Sequence, residues 1–347
     1  MQPEFHFKKP SALVLVTLVL SLATIASASR ERTLYNFQCS TGMCEPHGIL
    51  IFDSSGNLYG TTGGTVFELS PDHAAATGWT LSVLHWFTLK EGQGIFAGVT
   101  LDTTGNLYGT AVAGGAYDVG TVFELSPDSS GWTEDTLYNF CSQGGYCADG
   151  EDPFPGVVVD RKGVLYGLTR DGGYNGVGGV AFDLIPSSGG WQEHVIQTFG
   201  RKPGGGGDPY FAPVFGAAGH LYGTTWGGGD PVCDCGVVFE LSPQAGGWRE
   251  RVLYTFKGKY HEGNPYGGLA VDAAGDLYGT TTYGGPHSQG TVFRLTPGSN
   301  GRWKETALCD FPNIQNGGYP LGTLAIDKRG ALYGIAGGAG GAVELAD

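Results

Sequence analysis

Side chains able to act on a ligand collect in Gly-rich stretches that differ from one part of the chain to the next. The stretches hold Tyr117 and Asp118, then Asp149, Glu151 and Asp152, then Asp171, Tyr174 and Asn175, then Asp208 and Tyr210, then Trp226 and Asp230, then His261 and Glu262, and last Tyr283 and His287. Carboxylates drawn from several such stretches could meet a cation or work as an acid and base pair, or simply stand in water as loop acids. Trp226, in "TTWGGGDPVCDCG", and Tyr283, in "TTYGGPHSQG", stand ahead of glycines that have no side chains to cover a ring. Neighbouring exposed rings invite a stacked ligand, whereas the same rings folded back would pad a gap in the core. The expected ligand-binding set is therefore Trp226, Tyr283, Tyr117, Tyr174 and His287. No Gly-x-Ser-x-Gly elbow, His-Glu-x-x-His helix or Gly-Lys-Ser phosphate cradle occurs, and "RKPGGGGDP" leads into no helical pattern. No catalytic residue and no resident metal ligand are assigned; calcium is kept open as a bound cation.

The seven cysteines add redox chemistry. Cys39 and Cys44 follow one "LYNF", Cys141 and Cys147 follow another, and each close pair is expected as a local disulfide. Cys233 and Cys235 have one residue between them, which leaves a strained bond, a metal site or free thiols all open. Cys309 has no evident partner.

What positions these residues is a repeat. "DAAGDLYGTT" at 272–281 has near-copies at 53–62, 102–111, 160–169, 216–225 and 327–336. Its Tyr recurs at Tyr59, Tyr108, Tyr166, Tyr222, Tyr278 and Tyr333, a period of about 50 to 58 residues that belongs to propellers and solenoids. Each unit offers four strand-like runs: an apolar run such as "GLAVD", then "LYGTT", "GTVFEL" and "GWTEDTLYNF". Asp-x-x-Gly between the first two reads as a tight hairpin, because the carboxylate can bond nearby N–H groups and Gly takes positive φ. One carboxylate per turn is too few for calcium, and Gly216 replaces it in the fourth copy.

The expected fold is an all-β, six-bladed β-propeller of four-stranded blades, with an open solenoid as the alternative. The last copy stops at its third run, "GAVELAD", while "RERTLYNF" at 30–37 matches a fourth run, so the N-terminal strand is expected to complete the last blade. Trp79, Trp132, Trp191, Trp248 and Trp303 open the fourth run in five copies, a recurrence that suits packing between blades better than a sugar platform.

Lys8 and Lys9, an apolar run from Ala12 to Ile25 and Ala26-Ser27-Ala28 have the order of a secretory signal. The expected organisation is thus a leader over 1–28 and one propeller domain over 29–347, exported to the periplasm or medium. Without the leader, 17 basic residues face 32 acidic ones, which argues against nucleic acid and anionic membrane as partners. Gly at 63 of 347 residues fits many turns, while 41% apolar content provides the surface to fold, which disordered chains lack.

The assembled unit "D-x-x-G-N-L-Y-G-T-T … G-T-V-F-E-L-S-P … G-W-x-E-x-x-L-Y-x-F" resembles the GloVer tandem-repeat proteins, secreted bacterial proteins of a choice-of-anchor group. "GLAVDAAGDLY" is similar, over a shorter span, to NHL-type propeller repeats. The resemblance implies an extracellular or surface setting and no established reaction. "VELAD" is followed by no apolar tail, so release rather than anchoring is expected, as a monomer. The function expected is a non-catalytic module binding a glycan or protein; the alternative is a secreted hydrolase, lactonase or lyase acting on a sugar-like substrate at the axial mouth.

Overall fold

The hairpin at the head of each repeat is built by its acid. In the computed structural model, which describes residues 33–37, 43, 46–173, 176–200, 204–258, 263–299, 301–313, 318–337 and 341–345, Asp53 Oδ1 accepts from the N–H groups of Ser55 and Asn57 at 2.8 and 2.9 Å. Asp102, Asp160, Asp272 and Asp327 repeat the same two bonds. Burial works to raise the Asp102 carboxyl, but the bonds from Asn106 and Thr104 outweigh it and hold the group below its usual range. These acids are turn formers, as their spacing implies. In the fourth copy Gly216 leads instead into a 3-10 turn, Ala217–Gly219, with Ala218 at φ 57°.

Five antiparallel four-stranded sheets follow one another along the chain. The first comprises His47–Phe52, Leu58–Thr62, Thr65–Pro71 and Trp79–Trp86; the second comprises Thr100–Leu101, Leu107–Ala111, Thr121–Asp128 and Gly131–Asn139. The third runs Val157–Val159, Leu165–Leu168, Val180–Ser187 and Gly190–Thr198. The fourth runs Val214–Phe215, Leu221–Thr225, Val237–Gln244 and Gly247–Thr255, and the fifth Ala270–Val271, Leu277–Thr281, Thr291–Pro297 and Trp303–Asp310. A sixth sheet has three described strands, Pro320–Ile326, Leu332–Ala336 and Gly341–Leu345. The molecule is thus an all-β propeller with four-stranded blades. The fourth strand expected from the N-terminus is not among the described strands of the sixth sheet. Leu34 and Phe37 pack instead on the core of the first sheet, around Met43, Leu58, Phe67 and Leu69.

The repeated letters now acquire causes. A Cβ on Gly109 of "LYG" would lie 2.4 Å from the Phe123 ring, and one on Gly167 would lie 2.3 Å from Phe182, because a Phe on the neighbouring strand lies across each glycine. Those Phe rings are fully buried in five consecutive sheets, at Phe67, Phe123, Phe182, Phe239 and Phe293. The Phe just after the fourth strand packs on the next sheet's Phe in the first four sheets: Phe87 on Phe123, Phe140 on Phe182, Phe199 on Phe239 and Phe256 on Phe293, at centroid distances of 4.5, 5.2, 4.9 and 5.3 Å. Four of the five "GW" Trp residues meet the "LYG" Tyr of the preceding sheet, in Tyr59–Trp132, Tyr108–Trp191, Tyr166–Trp248 and Tyr222–Trp303. The Trp row is packing between blades. First strands approach so closely that a Cβ on Gly267 would stand 2.3 Å from the Gly322 carbonyl oxygen, and Thr61 and Thr224 each bond a carbonyl of the following sheet at 2.9 Å.

Candidate functional site

In the second to sixth sheets the segment entering the first strand carries a residue with positive φ, followed two positions on by an aromatic except in the sixth, which has Leu321. Asp152, Asp208, Asn264 and Tyr319 have φ between 53 and 57°, and Gly94 has φ 72°. Each donates its N–H to a carbonyl of the preceding sheet's loop and each accepts, through its own carbonyl, from the loop of its own sheet. For Asp208 the partners are Gly178 O and Trp226 N; for Asn264 they are Cys235 O and Thr282 N. A Pro follows at Pro153, Pro209, Pro265 and Pro320, fixing φ where no N–H is needed. The backbone is therefore pinned, and the next side chain is aimed.

Those next side chains are Phe96, Phe154, Tyr210 and Tyr266, with His47 in the first sheet and Leu321 in the sixth. The five rings from His47 to Tyr266 form an unbroken arc. His47 meets Phe96 at 4.9 Å, Phe96 meets Phe154 at 5.6 Å, Phe154 meets Tyr210 at 5.6 Å and Tyr210 meets Tyr266 at 4.9 Å between ring centroids. All five rings are half-buried, so each keeps a face or edge to solvent.

A second tier stands on the arc. Trp226 touches Tyr210, Tyr266 and Tyr283 at 6.0, 5.6 and 6.0 Å, and Tyr283 reaches Tyr319 at 5.8 Å. Trp226 is half-buried within this cluster while Tyr283 is 46% exposed. The two are not register equivalents: the bridge Gly263↔Tyr283 matches Glu151↔Asp171 and Gly207↔Gly227, which puts Trp226 level with Arg170 and Thr282. The same offset is countable from the "LYG" Tyr, since Trp226 stands four residues after Tyr222 and Tyr283 five after Tyr278.

Arg170 supplies the charge. Its guanidinium is 5.9 Å from the Tyr210 ring centroid, pairs with Asp152, and bonds Asp171 at 2.9 Å. Burial pushes the Asp152 carboxyl up against the pull of Arg170, and burial together with the charges of Asp171 and Asp152 pushes Glu151 up. The site thus joins π faces, one cation and three acids, an arrangement suited to stacking on the apolar face of a sugar ring while hydrogen-bonding its hydroxyls.

Of the residues expected from sequence, Trp226 and Tyr283 fall in this cluster. Tyr117 and His287 sit instead on equivalent turns, one residue before the positive-φ Asp118 and Ser288, and both are exposed. No ring contact joins either to the arc among the described residues. Tyr174, Cys39, Cys44 and the leader lie outside the described residues. Phe96, Phe154, Tyr266 and Arg170 escaped the sequence reading, although an aromatic six residues before the turn acid recurs at the repeat period. Cys141 and Cys147 are bonded as expected, and Cys233 and Cys235, left open by sequence, are bonded too. Cys309 is a free thiol that burial pushes up to about 11.

Comparisons with known proteins agree with the fold. The chain is 12% identical, at a TM-score of 0.54, to virginiamycin B lyase from Staphylococcus aureus, covering 87% of this chain and 81% of that one. It is 14% identical, at a TM-score of 0.49, to a gluconolactonase from Xanthomonas campestris, covering 84% and 83%. No curated protein matches by sequence. The Gloeobacter/Verrucomicrobia repeat matches over residues 62–195 and 153–344. Together these matches span most of the chain, and the protein belongs to the Gloeobacter/Verrucomicrobia repeat family.

Proposed function

We propose that the chain is an exported six-bladed propeller that binds a carbohydrate chain, without chemistry, across the aromatic arc. The observation that carries this reading is the continuous run of ring contacts from His47 through Tyr266 to Tyr319. A surface that only closed a core would bury these rings, yet they remain half-exposed and Tyr283 more so. Export is supported by the leader pattern and by two disulfides. Among the described residues no helix is long and apolar enough to cross a membrane.

The sixth blade is completed, in this reading, by the segment ending at Phe37. Phe37 lies 4.9 Å from Phe67, the contact that Phe87, Phe140, Phe199 and Phe256 make one sheet further on. The first strand of the first sheet also lies against Pro320–Ile326 of the sixth.

Binding is tested on a panel of soluble polysaccharides by affinity electrophoresis, with Tyr210→Ala and Trp226→Ala beside the parent chain. Retardation by one polysaccharide that drops about tenfold in each variant is the expected result, one stacking contact contributing about 0.5–1.5 kcal/mol. Equal retardation of all three proteins sinks the site.

A second reading has one observation in its favour: Glu151, Asp152 and Asp171 meet beside Arg170, and Glu151 is held above the usual carboxyl range, as a general acid needs. Under it, the bound sugar-like substrate is hydrolysed or eliminated, and product release from the polysaccharide that binds should vanish in Glu151→Gln.

A further inference from the structure

At the outer rim each fourth strand of the second to fifth sheets carries a Glu two residues after its Trp: Glu134, Glu193, Glu250 and Glu305. Glu134, Glu193 and Glu250 each face a residue on the preceding fourth strand. The register partners of the first third-strand valine or its equivalent are His85, Tyr138 and Gln197 in the first three sheets. Between the third and fourth sheets the seam is a plain hydrogen bond, Gln197 Nε2 donating to Glu250 Oε2 at 2.6 Å.

Between the second and third sheets two acids share the seam. Burial, then the charge of Asp149, pushes the Glu193 carboxyl up to about 8. Gln143 donates to Glu193 at 2.7 Å, and Tyr138 donates to Asp149 at 2.7 Å. That pair is relieved by holding a proton.

The seam between the first and second sheets also has two acids, but it faces them with an imidazole. His85 Nε2 is 3.4 Å from Glu91 Oε2, and one donor atom from each of His85, Glu91 and Glu134 lies within 4.8 Å of the others. Glu91 is held in place by the backbone N–H and hydroxyl of Thr88, at 2.8 and 2.9 Å on the same oxygen. Donors bound at about 2.0–2.2 Å around a tetrahedral ion stand roughly 3.3 Å apart, so the first two are already spaced for one and a turn of the Glu134 side chain brings the third. His85 and Glu91 side chains are 21% and 28% exposed, which leaves a path for the ion and a place for water as fourth ligand.

We propose that His85, Glu91 and Glu134 form a zinc-type divalent metal site that ties the rims of the first two sheets. An imidazole with two carboxylates suits a transition ion, whereas calcium and magnesium take oxygen donors. The site is separate from the aromatic arc and does not rest on what binds there.

Zinc titrated calorimetrically into the tag-free chain, with Cys309 alkylated beforehand, should bind once per chain and raise Tm, while calcium at equal concentration leaves Tm unmoved. Glu134→Gln and His85→Gln should each weaken zinc by at least tenfold, and Glu193→Gln, at the neighbouring seam, should not. Near-UV circular dichroism of the metal-free variants checks folding, and the isosteric Glu134→Gln decides alone if His85→Gln does not fold. Zinc binding that is absent in the parent, or unchanged in Glu134→Gln, overturns the proposal.

Discussion

The Tyr210 ring lies 4.9 Å from the Tyr266 ring at an interplanar angle of 45°, although 56 residues of chain separate them. Each ring follows a proline and a residue at positive φ, Asp208 in one case and Asn264 in the other. Such pinned entries place aromatic rings at one radius in successive sheets without using any strand position.

A graded response of binding and stability should separate the arc from the core. Tyr266→Ala removes a half-buried ring with contacts to Tyr210, Phe211 and Trp226. It is expected to abolish polysaccharide retardation while costing about 1–2 kcal/mol of stability, below the 3–5 kcal/mol of a fully buried ring. Phe123→Ala, at 0% exposure, should do the reverse, and urea melts of the two variants make the comparison.

Much of the scaffold was legible because its parts recur for local reasons. The turn acid bonds two N–H groups within four residues, and the "LYG" glycine answers a Phe on the adjacent strand, so each leaves a fixed letter at a fixed place. The arc was harder to read because its chemistry spreads over His, Phe, Tyr and Leu, and only its place six residues before the turn acid and the register of Pro153, Pro209 and Pro265 align it. Arg170 and Trp226 are level in the structure yet share nothing as residue types. The offset between Trp226 and Tyr283 shows only when each is counted from its "LYG" Tyr, four residues in one case and five in the other, because the glycine runs align equally well one residue out.

Stability should fall as pH rises from about 4.5 to 8 on account of Glu193. Its carboxyl is raised to about 8 by burial and by Asp149, so the folded chain holds a proton that the unfolded chain has lost above its ordinary value of 4.5. The stabilisation is complete below the unfolded pKa and gone above the folded one. Glu193→Gln should flatten the slope and add about 1–3 kcal/mol at pH 9 relative to the parent, after allowance for water reaching the group. Denaturant midpoints at pH 5, 7 and 9 check the sign; a parent more stable at pH 9 than at pH 5, with the variant parallel to it, would falsify the assignment.

Breaking the Cys141–Cys147 bond should have a modest effect. The bond closes a loop with a sequence separation of 6, for which loop entropy gives about 2 kcal/mol. Cys141→Ser with Cys147→Ser is therefore expected to lower Tm by a few degrees and leave the chain folded. Peptide maps without reductant should recover the two cysteines of the parent in one linked fragment.

The seam between the sixth and first sheets provides the last test, through Phe37. Phe37 lies 4.9 Å from Phe67 at 56°, close to the 4.9 Å and 52° of Phe199 on Phe239 between the third and fourth sheets. If the N-terminal segment serves the sixth blade as Phe199 serves the third, removing either ring opens the same kind of gap between neighbouring blades. Phe37 is half-buried and Phe199 is 3% exposed, so the first should cost less. We expect about 1–3 kcal/mol for Phe37→Ala and about 3–5 kcal/mol for Phe199→Ala. Hydrogen exchange adds a spatial readout, because loss of closure should deprotect amides of both Leu58–Thr62 and Leu332–Ala336, the second strands on either side of the seam. Deprotection confined to the first sheet would show that Phe37 only pads that sheet and does not join the ends of the chain.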